Sequence, residues 1–321
     1  MLLVAGSLNY DVNLYVERFA PPKSVVKGIK RFLGGSGGNA AVAAARFLGP
    51  GKVAMLAAVG DDDIGAMHLE ALRREGVDAS LISVLKGVES GQAYIAIRPD
   101  GENAIYSYYG ANSLLDIKDT VDDVKDFMKR VKVALIMNPP VKVAEELAFI
   151  AKELGVLVVW DPGTMSRHGI GVLSKLVRLA NYIAPNKGEL LLMTSSQSLQ
   201  DSAKTLWGLN NGLVVISKEG KEGVRILYPN MQAYRVSSVP PEALGLKTVS
   251  TVGCGDAFIG VFSAMKALGH DDLESAIYAS CAASIKASRE DPRGSPTRNE
   301  LVSKYLSMCK SAVKVTPYRL I

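Results

Sequence analysis

Along much of the chain, short runs that are apolar at every position alternate with stretches whose apolar residues recur every three or four positions. VALIM (133–137), VLVVW (156–160), the segment around Tyr182–Ala184 and LVVIS (213–217) are runs of the first kind. Between them, KVAEELAFIAKELG, KGELLLM and DSAKTLWGLN carry a helical period, and Gly155 supplies a stop. A strand that is apolar on both faces has no wet side. The pattern therefore predicts a buried, mostly parallel sheet covered by helices, an α/β architecture.

Two stretches break that rhythm. YDVNLYVERFAPPKSVVKGIKRFLGG (10–35) is strand-like and polar, without a helix. GQAYIAIRPDGENAIYSYYGAN (91–112) is two alternating runs joined by Pro99-Asp100-Gly101, a hairpin signal. Alternation means one wet face. These segments are expected to form a small β-sheet projecting from a single body spanning residues 1–321, and to serve as a lid over a site or as a dimer surface. AFIGVFSAMKAL is apolar on most faces and reads as a buried helix ending at Gly269. A last helix is expected from Thr297, with Glu300 completing a capping box.

Composition narrows the function classes without choosing one. The chain has 321 residues, 48% hydrophobic and 21% charged, which is ordinary for a globular protein. A formal charge of +5 suits small anionic ligands but is no argument for nucleic acid. Cys254, Cys281 and Cys309 lack CxxC spacing and an even count, so reduced thiols are expected rather than a disulfide framework or a zinc site. The start, MLLVAGSLNYD, has no basic n-region or long apolar core, and no run approaches a membrane span, so a cytoplasmic protein without a membrane partner is expected.

The densest chemistry lies in STVGCGDAFIGVFSAM (250–265). Asp256 has two readings. It could be the N-cap of the helix that follows. Alternatively, Gly253, Cys254 and Gly255 gather backbone N–H groups where a helix begins, a place that favours an anion, and Asp256 stands beside a bound phosphoryl group as a proton acceptor. A carboxylate there repels phosphate, so structure alone would not choose it. A second glycine cluster, LGGSGGNAAVAAARFLG (33–49), opens an Ala-rich helix, with Asn39 at its mouth. Gly35, Gly37 and Ala40 also fit a dinucleotide-binding G-x-G-x-x-A register. The preceding KGIKRFL is half basic rather than a buried strand, and Asp61 only loosely supplies the acidic partner, so an NAD-binding oxidoreductase is a remote alternative. No GxxxxGK[ST] is present.

In order, these features resemble the ribokinase-like (PfkB) family of carbohydrate and nucleoside kinases. GSLNYD (6–11) is similar to the family's opening strand, GGSGGN (34–39) to its first signature, GAN (110–112) to the end of its lid hairpin. APNKGE (184–189) is similar to its N-x-x-E element, KEGKEG (218–223) to its phosphate-side turn and STVGCGD (250–256) to its second signature. The resemblance runs from residue 3 to about 310 and implies a three-layer α/β/α fold with a β-sheet lid. It implies ATP and Mg²⁺ as cofactors and a sugar or nucleoside as substrate. Substrate contacts would fall to Asn9, Asp11, Gly34, Gly35, Ser36, Asn39 and Asn112. Asn186, Lys218, Gly220, Gly223, Thr251, Gly253 and Gly255 would meet ATP, while Asn186 and Glu189 organise Mg²⁺, mainly through water. Asp256 would be the catalytic base, with Gly253, Cys254 and Gly255 as the anion hole. A homodimer through the lid is also implied.

The chain departs from the family's pattern in three places. Ser250 replaces the usual first Asp of the second signature, which in ribokinases helps hold a monovalent cation, so K⁺ activation is in doubt. Cys254 stands where Ala is usual. At a helix N-terminus its thiol is expected to have a lowered pKa. Asn138-Pro139-Pro140 follows VALIM where many ribokinases carry a substrate-facing Glu, which weakens the case for ribose itself.

Other residues carry less. Asp161 in WDPG either joins the phosphate network or ends a strand turn, and Asp61, Asp62 and Asp63 cap and charge a helix. His68, His168 and His270 are isolated and receive no chemistry. Tyr106, Tyr108 and Tyr109 could stack a ring or make a lid–body or dimer contact. A phosphorylated substrate would need extra cations near the lid, for which Lys30, Arg31 and Arg98 are candidates, solvated surface being the other reading. The leading expectation is an ATP-dependent sugar kinase acting on a primary hydroxyl. The alternatives are a nucleoside kinase, a sugar-phosphate kinase or a catalytically silent sugar-binding regulator.

Overall fold

The computed structural model describes residues 1–19, 25–99 and 102–320. One long sheet contains β1 (Leu2–Gly6), β4 (Val53–Gly60), β5 (Val77–Asp78), β6 (Ile82–Leu85), β9 (Val133–Met137), β10 (Leu157–Asp161), β11 (Tyr182–Ile183), β12 (Val214–Lys218), β13 (Val224–Leu227), β14 (Gln232–Val236) and β15 (Val315–Arg319). Its order is β15-β14-β13-β12-β11-β10-β9-β1-β4-β5, with β6 also paired to β4. Pairing is parallel from β12 through β5 and antiparallel from β12 to β15. The antiparallel extension, and β15 above all, was not legible in the sequence, because VTPYR is a short, mostly exposed edge strand.

Alternation along β1 explains the layering. Leu2 and Val4 pack into one core with α1 (Ser36–Leu48), α8 (Cys254–Ala267) and α9 (Asp272–Ala287). Leu3 and Ala5 pack into the other with α3 (Val121–Met128), α4 (Val141–Glu153), α5 (Gly169–Leu179), α6 (Lys187–Thr194) and α7 (Leu199–Leu209). Strands buried on both faces leave no solvated side, hence three layers. The first face is completed by α2 (Asp63–Arg74) and α11 (Leu306–Ala312), while α10 (Arg298–Glu300) leads into the buried Leu301. Asp62 caps α2 through the Gly65 amide, as its acidic run predicts. Thr297 caps α10, but the Glu300 carboxylate turns away to Arg289, leaving half a capping box.

A separate small sheet has the order β3 (Val26–Gly34), β2 (Asn9–Val16), β7 (Gly91–Ile97) and β8 (Asn103–Tyr108). It is built from the two polar, alternating segments, with β2 and β7 parallel and both outer pairs antiparallel. The Asp100-Gly101 turn that joins β7 to β8 lies outside the described residues.

The cysteine expectation needs correction. Cys281 of α9 and Cys309 of α11 form a disulfide, with Cα atoms 5.8 Å apart, and only Cys254 is free. Spacing in sequence could not show this, because the pairing comes from two buried helix faces that meet in the first core.

Candidate active site

The site lies where the small sheet meets the carboxyl ends of the parallel strands. β3 closes at Gly34, directly opposite Asn9 of β2, and α1 starts at Ser36 with Gly35 as its cap. The β3 that precedes this turn is exposed and belongs to the small sheet, not to a buried parallel strand as a dinucleotide fingerprint requires. Asp11 is buried on β2, and its carboxylate lies against Gly34. Buried Asn112 donates to the Leu8 carbonyl and to Asn9 Oδ1, both at 2.9 Å, and accepts from the Leu8 amide at 2.8 Å. It thereby fastens the segment after β8 to the loop that leads into β2.

On the other side, α8 begins at Cys254, and its N-cap is Gly253. Asp256 is therefore not the cap. It sits in the first turn, and no side chain caps the helix. The Asp256 carboxylate faces α1 and accepts from Asn39 Nδ2 at 2.8 Å. Gly253 has φ 81°, a left-handed conformation, and a Cβ there would lie 2.4 Å from the Pro292 carbonyl. One turn beyond Asp256, a Cβ on Gly260 would fall 2.6 Å from the Ala40 carbonyl, so that glycine sets how closely α1 and α8 approach. The Asn39–Asp256 contact rests on this close crossing.

A third group comes from strand ends. β10 ends at Asp161 and β12 at Lys218, whose side chains form a nearly buried ion pair. An isolated parallel bridge sets Asn186 beside Lys218. Asn186 and Glu189 cap α6 reciprocally: the Glu189 amide donates to Asn186 Oδ1 at 2.9 Å, and the Asn186 amide donates to Glu189 Oε2 at 2.8 Å. Gly220 and Gly223 bound a short 3-10 turn just past β12. A Cβ on Gly255 would lie 3.8 Å from Lys218 Nζ, while Thr251 is exposed. The structure thus brings the residues singled out by motif to two neighbouring edges, one around Asp11 and Asn39, the other around Lys218 and Gly253, with Asp256 between them.

Electrostatics separate the two edges. Burial pushes Asp256 up to about 6, opposed by the Asn39 hydrogen bond and Lys218, and reinforced by Asp161 and Glu189. Burial also raises Asp11 to about 7, and the Asp256 charge adds to this while Arg293 opposes it. Glu189 is raised by burial and by Asp161. For Lys218, burial works against the charge, but Asp161, Glu189 and Asp256 outweigh it and hold the ammonium above its ordinary value. Carboxylates poised near neutrality beside a fixed cation suit proton acceptance next to an anion. The Cys254 expectation is reversed: burial raises its thiol, with Lys286 opposing and Asp256 adding.

Arg293 and Lys286 escaped the sequence reading, and His68, read as isolated, has a buried partner. Arg293 is buried and donates to the Gly34 carbonyl at 3.2 Å, beside fully buried His68, which lies 3.0 Å from the guanidinium and is pushed down to about 3. Lys286 is fully buried on α9. Its signal was a lone lysine in the small-residue run SCAASIKAS; nothing in PRGSP indicated where Arg293 would point. Lys30 pairs with Glu290, and Arg98 pairs with Glu102 and stacks on Phe19, so these two cations have partners within the chain.

Residues 1–298 match the family described as pfkB family carbohydrate kinase. Among curated proteins, the ribokinase of Staphylococcus aureus is 28% identical over 284 residues, covering 86% of this chain and 89% of that protein. Among solved structures, the ribokinase of Arabidopsis thaliana complexed with ribose and ATP has a TM-score of 0.81 at 23% identity, covering 96% of this chain and 98% of that one. The nucleoside kinase of Burkholderia thailandensis, in complex with inosine, has a TM-score of 0.80 at 23% identity, covering 98% and 99%. The two structural likenesses establish the fold.

Proposed function

This chain belongs to the pfkB family of carbohydrate kinases and is a sugar kinase; from that premise we propose that Asp256 takes the proton from a sugar's primary hydroxyl as that oxygen attacks the γ-phosphorus of ATP. One observation carries the reading: Asp256 leaves the cap position to Gly253 and turns toward Asn39, beside the amides that open α8. A cap would have satisfied the helix. A partly buried carboxylate next to an anion site costs stability and is explained by chemistry.

The sugar lies on the Asp11 side, held by Asn9, Asp11, Asn39 and the Gly34–Ser36 backbone. Asp11, near neutrality, can accept from or donate to a hydroxyl. The triphosphate lies over Gly253–Gly255, with Lys218, Gly220, Gly223 and Thr251 along its path. Charge growing on the transferring group meets the amides of Gly253, Cys254 and Gly255. In-line transfer depends chiefly on positioning, so the tight α1–α8 crossing matters as much as the base.

Among the described residues no cluster of three His, Cys, Asp or Glu side chains could hold a metal by itself. The oxygen-rich set Asp161, Glu189 and Asn186 fits Mg²⁺ that arrives on the nucleotide and is held through water. When bound, Mg²⁺ neutralises phosphate charge. The small sheet acts as a lid, and exposed Tyr94, Tyr106 and Tyr108, on one face of β7 and β8, are the surface for a second copy. No helix among the described residues is long and apolar enough to cross a membrane, which suits a cytoplasmic site of action.

A coupled ADP-release screen with ribose, fructose, fructose 6-phosphate, 2-keto-3-deoxygluconate and nucleosides tests the proposal. Turnover with a free sugar supports it. Turnover only with nucleosides moves the substrate class, and no ADP release with any acceptor contradicts it.

A further inference from the structure

Lys286 has no part in the chemistry above, yet it is among the largest fully buried side chains of the protein. It lies in the last turn of α9. Its ammonium donates to the Ser250 carbonyl at 3.1 Å and to the Arg289 carbonyl at 3.0 Å. Burying an ammonium against carbonyls is costly, and burial does pull its pKa down. The arrangement must offset that cost. Two carbonyl dipoles aimed at one point, at the carboxyl end of a helix, form a site built for a positive charge.

The position of that charge is specific. Val249 and Ser250 donate their amides to the Ala287 carbonyl at 2.8 and 3.0 Å, so the same end of α9 grips the segment entering the anion turn from both its N–H and its C=O side. Three residues further on, Gly253 opens α8. The Cys254 thiol lies 3.8 Å from the Ser250 carbonyl that Lys286 holds.

The resemblance to ribokinases implies a monovalent cation near the first residue of the second signature. The residues present do not fit one. The carboxylate expected there is Ser250, and the Ser250 carbonyl is already taken by an ammonium. We propose that Lys286 is a positioning residue, a cation tethered to the chain that locks Ser250–Gly253 in its anion-binding shape and makes the enzyme indifferent to K⁺. It would act through the turn and touch neither sugar nor phosphate. This rests on the proposed phosphoryl transfer for its meaning, but binding of ATP reads it independently of turnover.

The test compares ATP affinity by calorimetry, and turnover where an acceptor is known, in tetramethylammonium buffer with and without K⁺ or NH₄⁺. The native protein should bind ATP within about twofold in all three, less than the loss of one hydrogen bond would give. Lys286→Met should bind ATP on the order of tenfold or more weakly, the scale of a lost charged hydrogen bond, with the KM for ATP raised and that for the acceptor unchanged. NH₄⁺ or K⁺ should restore part of the variant's affinity. Lys286→Gln, which keeps an NH₂ donor group without the charge, should fall between the two if Met does not fold. K⁺ activation of the native protein by tenfold or more would overturn the proposal. So would a folded Lys286→Met that binds ATP normally, or one whose weakness no small cation relieves. Absence of turnover together with cation-indifferent binding would fault the reaction assigned, not the role of Lys286.

Discussion

Asn39 Nδ2 donates to Asp256 Oδ2 across 2.8 Å, joining residues 217 positions apart. Since burial raises Asp256 to about 6 and this bond opposes the rise, the bond sets where the base becomes active. The rate of a reaction needing the carboxylate, read as kcat/KM, should climb with pH through about 6 and level off above it. Asn39→Leu removes the donor and should move that limb up by about one unit, the worth of a hydrogen bond to a charged group. A pH–rate profile of both proteins checks this.

The same carboxylate should cost stability. Its folded pKa lies above the unfolded value, so its charge destabilises the fold above about pH 6, and the penalty fades as pH falls toward 3.8. Asp256→Asn should therefore raise the melting temperature at pH 7.5, with a gain of at most about 3 kcal/mol. Calorimetry at pH 7.5 and 4.5 should show the advantage shrinking at the lower pH.

Gly260 tests the helix crossing. A methyl there would press on the Ala40 carbonyl and Ala43. Gly260→Ala should destabilise by about 1–3 kcal/mol. Its kcat should fall more than its affinity for ATP, because α1 and α8 separate under Asn39 and Asp256. Steady-state kinetics with calorimetry would show both.

Cys254 is raised by burial and by Asp256, so its thiol should label slowly at neutral pH and faster as pH rises. ATP should protect it, because it is the first residue of α8. In denatured, unreduced protein a thiol reagent should count one cysteine of three, since Cys281 and Cys309 are paired. Reduction should lower stability by about 2–4 kcal/mol.

What the sequence disclosed followed the reach of its signals. Periodicity marked the parallel strands and the covering helices, because strands such as VALIM are buried at every position. Alternation marked β2, β3, β7 and β8 as a sheet of their own. Motif order placed Asn9, Asn39, Lys218 and Asp256 on facing edges. What stayed hidden depends on contacts between distant segments. Whether Asp256 caps α8 turned on an offset of three residues, with Gly253 taking the cap. Burial raises the Cys254 thiol, and the burial of that position was not visible in its local sequence. The contacts of Lys286 and Arg293 and the disulfide join segments distant in sequence, which no local pattern encodes.

The most direct test of Asp256 as base is single-turnover phosphoryl transfer from ATP to the preferred acceptor, comparing the native protein with Asp256→Asn while ATP affinity is measured on both. Transfer should slow by a factor on the order of 10² or more, with ATP affinity nearly unchanged and the fold intact. A native transfer rate per folded molecule in Asp256→Asn would contradict the account.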